Sequence, residues 1–291
     1  MTRLYEIEQH LHSMQDIREI MNSMKNLSLM ETRKLSHFLS SQQRVVKSTE
    51  QAAKDFLSAY PEMQISSPAV SQVYILIGSE QGFCGDFNQT LIDTYNAIAA
   101  EKSTDDIKLV AIGMKLYNLL QDHPQLVKAL TGPTVGQEVD TILTELVNTV
   151  SGLHNTLHST LNSSLKSNVG SLSIAALHHE HESENIQITS LLPPFQNLKL
   201  PSSRTIYPPH LQLPPEHFYK SLVDHYLFAA LYEMFYTSLM AEHYRRIQHL
   251  ESAIDRLEQR ADELGKKRNI LRQEEITEEI EVIMLSAGII E

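Results

Sequence analysis

One loop of the sequence combines glycine, cysteine and acidic residues, types that can bind phosphate or perform nucleophilic chemistry. It reads GSEQGFCGDFNQ over residues 78–89 and follows an apolar run. A cysteine hydrolase would need a base that activates the Cys84 thiol, and no spacing identifies one. The loop also lacks the G-x-x-x-x-G-K-[ST] and G-x-G-x-x-G phosphate-binding patterns. The sequence therefore favours a tight strand-to-helix turn, with Gly82 and Gly85 permitting the turn and Asp86 as a helix cap.

A second cluster, HHEHE at residues 178–182, contains residue types that bind zinc. It falls in a predicted hairpin turn over 178–185, where such side chains are simply solvated. A zinc site usually recruits three or four ligands at fixed spacing, a pattern that this cluster lacks. We therefore predict no catalytic residue, no cofactor and no metal site.

The charge balance narrows the classes of partner. The 291 residues include 24 Lys and Arg against 36 Asp and Glu, a formal charge of −12. Nucleic-acid binding needs a basic surface, so this balance argues against it but leaves open a protein partner with a basic lining. No stretch approaches the ~20 apolar residues that span a bilayer, so any membrane association is expected to be peripheral. Cys84 is the only cysteine, which excludes an internal disulfide.

Glycine and proline are distributed unevenly along the chain. Neither occurs before Pro61, and neither occurs between Pro215 and Gly265. Because these residues mark turns and loops, the sequence predicts two helical arms, 1–60 and 215–291, around a folded middle, 70–210.

The first arm is predicted to be one helix over residues 3–57, roughly 80 Å long. Its apolar residues recur at steps of three and four, the pattern of an amphipathic helix. The predicted stripe consists of Leu4, Ile7, Leu11, Met14, Ile17, Met21, Met24 and Leu27.

The second arm is broadly apolar over residues 218–240 and then narrows to a coiled-coil seam. The predicted seam consists of Ile247, Leu250, Ile254, Leu257, Ala261 and Leu264, and then of Ile276, Ile280, Ile283 and Ala287. Between the two parts, over 265–271, the phase of the pattern slips. Helices of this length need a partner for their seam, and each arm can serve the other. We predict an antiparallel coiled coil in which the longer second arm projects beyond the first helix or meets its start.

The middle alternates between strands and helices. The runs QVYILIG (72–78) and IKLVAIG (107–113) predict buried strands, and residues 87–101, 115–121 and 137–166 predict helices. The segments GSLSIAAL and NIQITSLLP predict two more strands around the 178–185 turn. This order predicts an α/β fold with an open, Rossmann-like sheet.

Three sequence pieces occur in a distinctive order. They are RLYEIEQHLHSMQDIREIMNSM in the first helix, GFCGDFN after the first strand, and AEHYRRI followed later by NILRQEEITEEIEVI. In this order they resemble the gamma subunit of F-type ATP synthases over essentially the whole chain. The final R-Q-x-x-I-T-x-E-I pattern is the most specific of them.

The resemblance implies a central rotor shaft without bond chemistry of its own. The coiled coil would enter a hexamer of alternating alpha and beta subunits, and the α/β middle would sit with the epsilon subunit on a membrane ring that carries ions. One copy per complex, peripheral at the cytoplasmic face of a prokaryotic inner membrane, is expected. Rotation of an asymmetric shaft would then bias the conformation of each beta subunit in turn.

The resemblance also implies the residues that bind partners. Met24 matches the family's methionine in the first helix, and Glu242 and Arg246 match its S-E-x-x-x-R-M pattern. Family positions of this kind engage beta-subunit loops or the opposite helix. The last motif contributes Arg272, Gln273 and Thr277. The last two are four residues apart, so their side chains are expected to exchange hydrogen bonds.

Some positions depart from the family pattern. Lys25 and Glu31 stand where the family's first helix is small and apolar, and Ala241 and Ile247 replace its serine and methionine. These changes suggest a divergent branch, such as an alternative ATPase. A coiled-coil adaptor or tether with an α/β head, unrelated to rotation, is the alternative function.

Overall fold

The computed structural model describes residues 2–63, 69–101, 107–162, 171–180, 185–195, 198 and 210–286. Two long helices, α1 (Thr2–Ala59) and α5 (Pro215–Ser286), begin and end this part of the chain. Both predicted arms are therefore confirmed as single helices. The predicted seam residue Ala287 lies outside the described residues.

The middle of the chain is a mixed, open α/β sheet, as predicted. Its elements are β1 (Ala69–Ile77), α2 (Phe87–Glu101), β2 (Ile107–Ile112), α3 (Met114–Leu120), β3 (Leu126–Leu130), α4 (Val139–Asn162), β4 (Ser171–His179) and β5 (Ile186–Leu192). The strand order is β3-β2-β1-β4-β5, and only the β4–β5 pair is antiparallel. Strand β3 is not predicted from the sequence, because its five residues are interrupted at the centre by Lys128 and form no continuous apolar run.

Alternate residues of the strands build two cores, because successive side chains point to opposite faces of a sheet. On one face Val73, Ile75 and Ile77 pack with α1, α4 and α5. On the other face Tyr74 and Leu76 pack with α2 and α3. The sheet is thus covered by helices on both sides, which is why its central strands consist of continuous apolar runs.

The chain forms two compact units. The sheet unit comprises residues 30–245, and the helix-pair unit comprises the described parts of 1–29 and 246–291. The predicted division into three domains, 1–60, 70–210 and 215–291, follows the order of elements along the chain and stays a prediction.

Two ion pairs define the register inside the helix-pair unit. Arg18 Nη1 lies 3.4 Å from Glu258 Oε1, and Lys25 Nζ lies 3.4 Å from Glu251 Oε1. Moving seven residues forward on α1 therefore corresponds to moving seven residues back on α5. This is the antiparallel, heptad-spaced pairing of a coiled coil, with Met21, Leu250 and Ile254 buried between the helices.

The seam of α1 follows a different line from the predicted one. Ile17 is 47% exposed and Leu27 is 60% exposed, so both predicted seam positions are wrong. Arg18 and Ser28 are less exposed than Ile17 and Leu27. They continue the series of positions, spaced alternately by three and four residues, that begins at Leu4. Strict heptad spacing therefore overrides the local preference for an apolar residue, and polar side chains occupy seam positions.

Candidate partner-binding site

The last turns of α5 expose a row of isoleucines. Ile276 is 48% exposed, Ile280 51% and Ile283 63%. The prediction that they face the other helix is therefore wrong. On α5 the less exposed positions continue at regular heptad spacing through Leu264, Arg268, Leu271 and Glu275. The predicted phase slip is therefore absent from these residues, and the three isoleucines lie off the seam.

The register of the helix pair explains this exposure. Thr2, where α1 begins, is 16 residues before Arg18, and Glu274 is 16 residues after Glu258. At this register Thr2 lies opposite Glu274, so α5 continues past the start of α1. The prediction that the longer arm projects beyond the first helix is confirmed, and no described residue of α1 lies opposite the isoleucines.

The projecting segment carries two chemically different faces. Ile276, Ile280 and Ile283 are spaced by four and three residues and share one face of the helix. Glu274, Glu278 and Glu281 have the same spacing and, at 100° per residue, lie on the opposite face. Within residues 272–281 five glutamates stand against one arginine. Such a segment can dock into a partner that offers both apolar and basic surface.

Three of the predicted partner-binding residues lie at this end of α5: Thr277 is on the projecting segment, and Arg272 and Gln273 immediately precede it. Arg272, Gln273 and Thr277 are all exposed. The Thr277 hydroxyl donates to the backbone carbonyl of Gln273 at 2.8 Å. The expected exchange between the two side chains is thus replaced by a bond to the backbone, since a threonine hydroxyl reaches the carbonyl four residues earlier.

The other three predicted residues lie in more enclosed surroundings. Met24 is partly buried and packs with Met21, Leu250 and Ile254. Glu242 and Arg246 are 3% and 2% exposed. The described structure therefore separates the six predicted residues into an exposed group near the end of α5 and a buried or half-buried group.

The 78–89 loop is a tight turn, as the sequence favours. Gly85 adopts φ 61°, and the Asn88 side chain accepts from the Ser79 amide at 2.9 Å and donates to the Ser79 hydroxyl at 2.9 Å. Asp86 lies 3.4 Å from the Arg245 guanidinium.

Cys84 is buried in this loop. Its sulfur lies 3.4 Å from the carbonyl oxygen of Gly82 and 3.6 Å from that of Gln81. Carbonyl acceptors stabilise the protonated thiol rather than a thiolate, so this environment is opposite to that of a nucleophilic cysteine.

The two histidines that begin HHEHE lie inside the protein instead of in a solvated turn. His178 and His179 end strand β4 and are 3% and 1% exposed. The His179 ring stacks on Phe87 with 3.8 Å between centroids, and its Nε2 bonds the Phe87 carbonyl at 2.8 Å. The prediction of solvated side chains is wrong for this pair because β4 extends two residues further than predicted. His181 and Glu182 lie outside the described residues.

The described residues contain no group of three or more His, Cys, Asp or Glu side chains placed to hold a metal ion. None of the helices, over the residues described, has an apolar stretch that could cross a membrane.

Comparison with known proteins identifies the family. The family model described as ATP synthase matches residues 3–288. The chain is 21% identical to the ATP synthase gamma chain of Fusobacterium nucleatum subsp. nucleatum, covering 99% of both chains. It is 24% identical to that of Campylobacter concisus, covering 97% of this chain and 98% of the relative.

Solved structures share the fold. The rotor of Euglena gracilis mitochondrial ATP synthase matches with a TM-score of 0.60 and 14% identity, covering 94% of this chain and 99% of that one. A second structure of that synthase, with OSCP, F1 and c-ring, matches with a TM-score of 0.61 and 14% identity, covering 99% and 94%. None of these comparisons supports the alternative of an adaptor or tether. The family match extends over nearly the whole chain, and the protein therefore belongs to the ATP synthase family, as a homologue of its gamma chains.

Proposed function

We propose that this chain is the central rotor shaft of an F-type ATP synthase or ATPase. The observation that carries the proposal is the projecting end of α5, a helix with exposed isoleucines on one face and glutamates on the other. Its relatives are gamma chains, and a similar structure is named a rotor. A helix with unlike faces suits a rotor because each orientation presents different chemistry to a surrounding partner.

The mechanism is a shift of populations. As the shaft turns, each beta subunit of an alpha/beta hexamer meets the isoleucine face and then the glutamate face of α5. Shaft contacts that are stronger with one beta-subunit conformation than with another shift the population toward the first. The nucleotide affinity of that beta subunit can change by no more than this difference in contact energy. The shaft itself makes and breaks no covalent bond, so the chain is a non-catalytic subunit.

The six candidate residues divide into two roles. Arg272, Gln273 and Thr277 are exposed and contact the hexamer. Arg272 can form a charge-assisted bond to a partner carboxylate. Met24, Glu242 and Arg246 are enclosed and stabilise the pairing of the long helices. This is contact with the opposite helix, one of the two roles that the resemblance implies for such positions.

The remaining partners follow from the same proposal. The sheet unit contacts an epsilon subunit and a membrane ring, and one copy of the chain serves each hexamer. The complex lies at the cytoplasmic face of a prokaryotic inner membrane, with this chain as a peripheral subunit. Native mass spectrometry of the purified complex tests the copy number, and a second copy per hexamer would contradict it.

The function is tested by reconstituting the alpha and beta subunits with and without this chain. The full chain is expected to give a complex that contains one copy and has altered ATPase activity. A chain truncated before Arg272 is expected to lose most of that change. If the full chain never joins the hexamer, the rotor proposal fails and the tether becomes the leading interpretation.

The individual contacts are tested in the assembled, membrane-bound complex. Gln273→Ala combined with Thr277→Ala is expected to weaken ATP-driven ion pumping while the complex stays assembled. The matched control is Glu216→Ala combined with Lys220→Ala, an exposed pair with the same spacing on α5. Pumping that is unchanged in the first double variant would contradict the assignment of these two residues.

A further inference from the structure

A cavity of about 270 Å³ lies within the sheet unit, between α1, α5 and the β4–β5 pair. Residues 43–50 of α1 and 226–237 of α5 form its walls, and His178, Gln187 and Thr189 form its floor. Exposed side chains, including Lys47, line its mouth, so a solute can enter. The space is too large for a single water and suits a small organic molecule.

The charge of one carboxylate in this cavity acts on a second carboxylate. Burial raises the pKa of Glu233, and the charge of Glu50 raises it further, while the Lys47 ammonium and the Gln43 side chain oppose the shift. Burial also raises the pKa of the Tyr226 hydroxyl, and both glutamates add to that increase. Glu50, Glu233 and Tyr226 all line the same space, so a cation placed there would be attracted by both carboxylates.

The floor of the cavity adds no positive charge to offset the glutamates. The His178 ring lies with Nδ1 3.2 Å from the His179 carbonyl oxygen and Nε2 3.5 Å from the Thr189 hydroxyl. Burial lowers the pKa of His178, so its ring is neutral at neutral pH. Among the described residues that line the cavity, Lys47 is the one with a permanent positive charge, which leaves a formal charge of −1 when both glutamates are ionised.

The lining also provides apolar surface. Val46, Ala230 and Met234 contribute aliphatic and thioether groups, and Tyr226 contributes an aromatic ring. An ammonium near a tyrosine ring gains a cation–π attraction in addition to its ion pairs. A carbon chain beside these apolar side chains gains from their removal from water.

We infer that this cavity binds a small primary alkylamine. Its ammonium group lies between Glu50 and Glu233 next to Tyr226, and its carbon chain lies against Val46 and Met234. This site is additional to the proposed rotor function and does not depend on it, since none of its residues belongs to the projecting end of α5.

Isothermal titration calorimetry of the full-length chain with 1,4-diaminobutane tests the inference at low salt near pH 8. Saturable one-site binding is expected, weakened by added salt because the attraction is largely between charges. The uncharged analogue 1,4-butanediol has the same chain length and is expected not to bind. Equal binding of the two compounds, or no binding of the diamine, would overturn the inference.

Variants locate the site. Glu233→Gln and Glu50→Gln each keep the side-chain size and remove a carboxylate, and each is expected to weaken binding at least about ten-fold. Lys47→Gln removes a competing cation and is expected to tighten binding. The control is Glu216→Gln, an exposed glutamate of α5 outside the cavity, which should bind like the unmodified chain.

Circular dichroism accompanies each titration. If Glu233→Gln does not fold, Glu50→Gln on the facing helix decides the question. Unchanged affinity in a folded glutamine variant at either position would show that the diamine binds elsewhere and would overturn the assignment.

Discussion

The sheet unit and the helix-pair unit differ in how completely they bury their apolar side chains. The sheet unit covers both faces of its strands with helices and leaves residues such as Leu76 and Leu109 fully buried. The helix-pair unit buries Met21, Leu250 and Ile254 in one seam and then exposes Ile276 and Ile280. The first unit thus completes its core from its own chain, whereas the end of the second presents apolar surface suited to a partner.

The largest expected effect is in the sheet unit. Leu109→Ala removes a fully buried side chain from the centre of β2 and should lower the free energy of unfolding by about 3 to 4 kcal/mol, the cost of a core cavity. Urea unfolding followed by circular dichroism measures this change. Leu119→Ala, at a 56% exposed position of α3, is the control and should change stability little. Equal losses in the two variants would remove the evidence for a tightly packed sheet core.

Acid should weaken the sheet unit through His179. Burial lowers the pKa of His179 to about 4, and the charge of Arg245 adds to the decrease. Below its ordinary value of about 6.5 the unfolded chain binds a proton that the folded protein does not, so stability falls as pH decreases from about 6.5 to about 4. The loss should reach up to about 3 kcal/mol.

The variant His179→Gln should reduce that loss, because it keeps a donor for the Phe87 carbonyl and removes the titration. Urea unfolding at several pH values between 4 and 7 measures the slope. His217→Gln, at an exposed position of α5, is the control. A slope that is the same in His179→Gln and in the unmodified chain would exclude this histidine as its cause.

A smaller effect is expected in the helix pair. Leu250 is fully buried, but its cluster is narrow and partly open, so Leu250→Ala should cost about 2 kcal/mol, the lower end of the range for such truncations. Hydrogen exchange should show faster opening of α5 amides near Leu250 while the β1 and β2 amides stay protected. Equally faster exchange in both units would show that they unfold together and would weaken the comparison.

The smallest effect on folding is expected at the projecting end of α5. Ile280 is 51% exposed, so Ile280→Ala should change the stability of the isolated chain by less than about 0.5 kcal/mol. The same variant should weaken binding to the hexamer, since its lost apolar surface is buried only in the complex. A large loss of stability in the isolated chain would contradict the exposed position.

Much of the architecture could be predicted because its signals are local. The absence of glycine and proline over 1–60 and most of 215–286 predicts both long helices, and the runs at 72–78 and 107–113 predict β1 and β2. Strand β3 could not be predicted because it is short, has Lys128 at its centre and lies at one edge of the sheet. The path of the α1 seam through Arg18 and Ser28 could have been found by continuing strict heptad steps from Leu4.

The sequence by itself determined the two long helices, the α/β middle and the family, because helix periodicity, breakers and ordered motifs are properties of nearby residues. Tertiary structure alone decided which side chains became buried. Glu242 and Arg246 are enclosed, Ile276 and Ile280 are exposed, and Glu50 joins Glu233 at one cavity although 183 positions separate them. The physical reason is that burial depends on which distant segment packs opposite a residue, and the helix register and strand order that set this are collective properties of the folded chain.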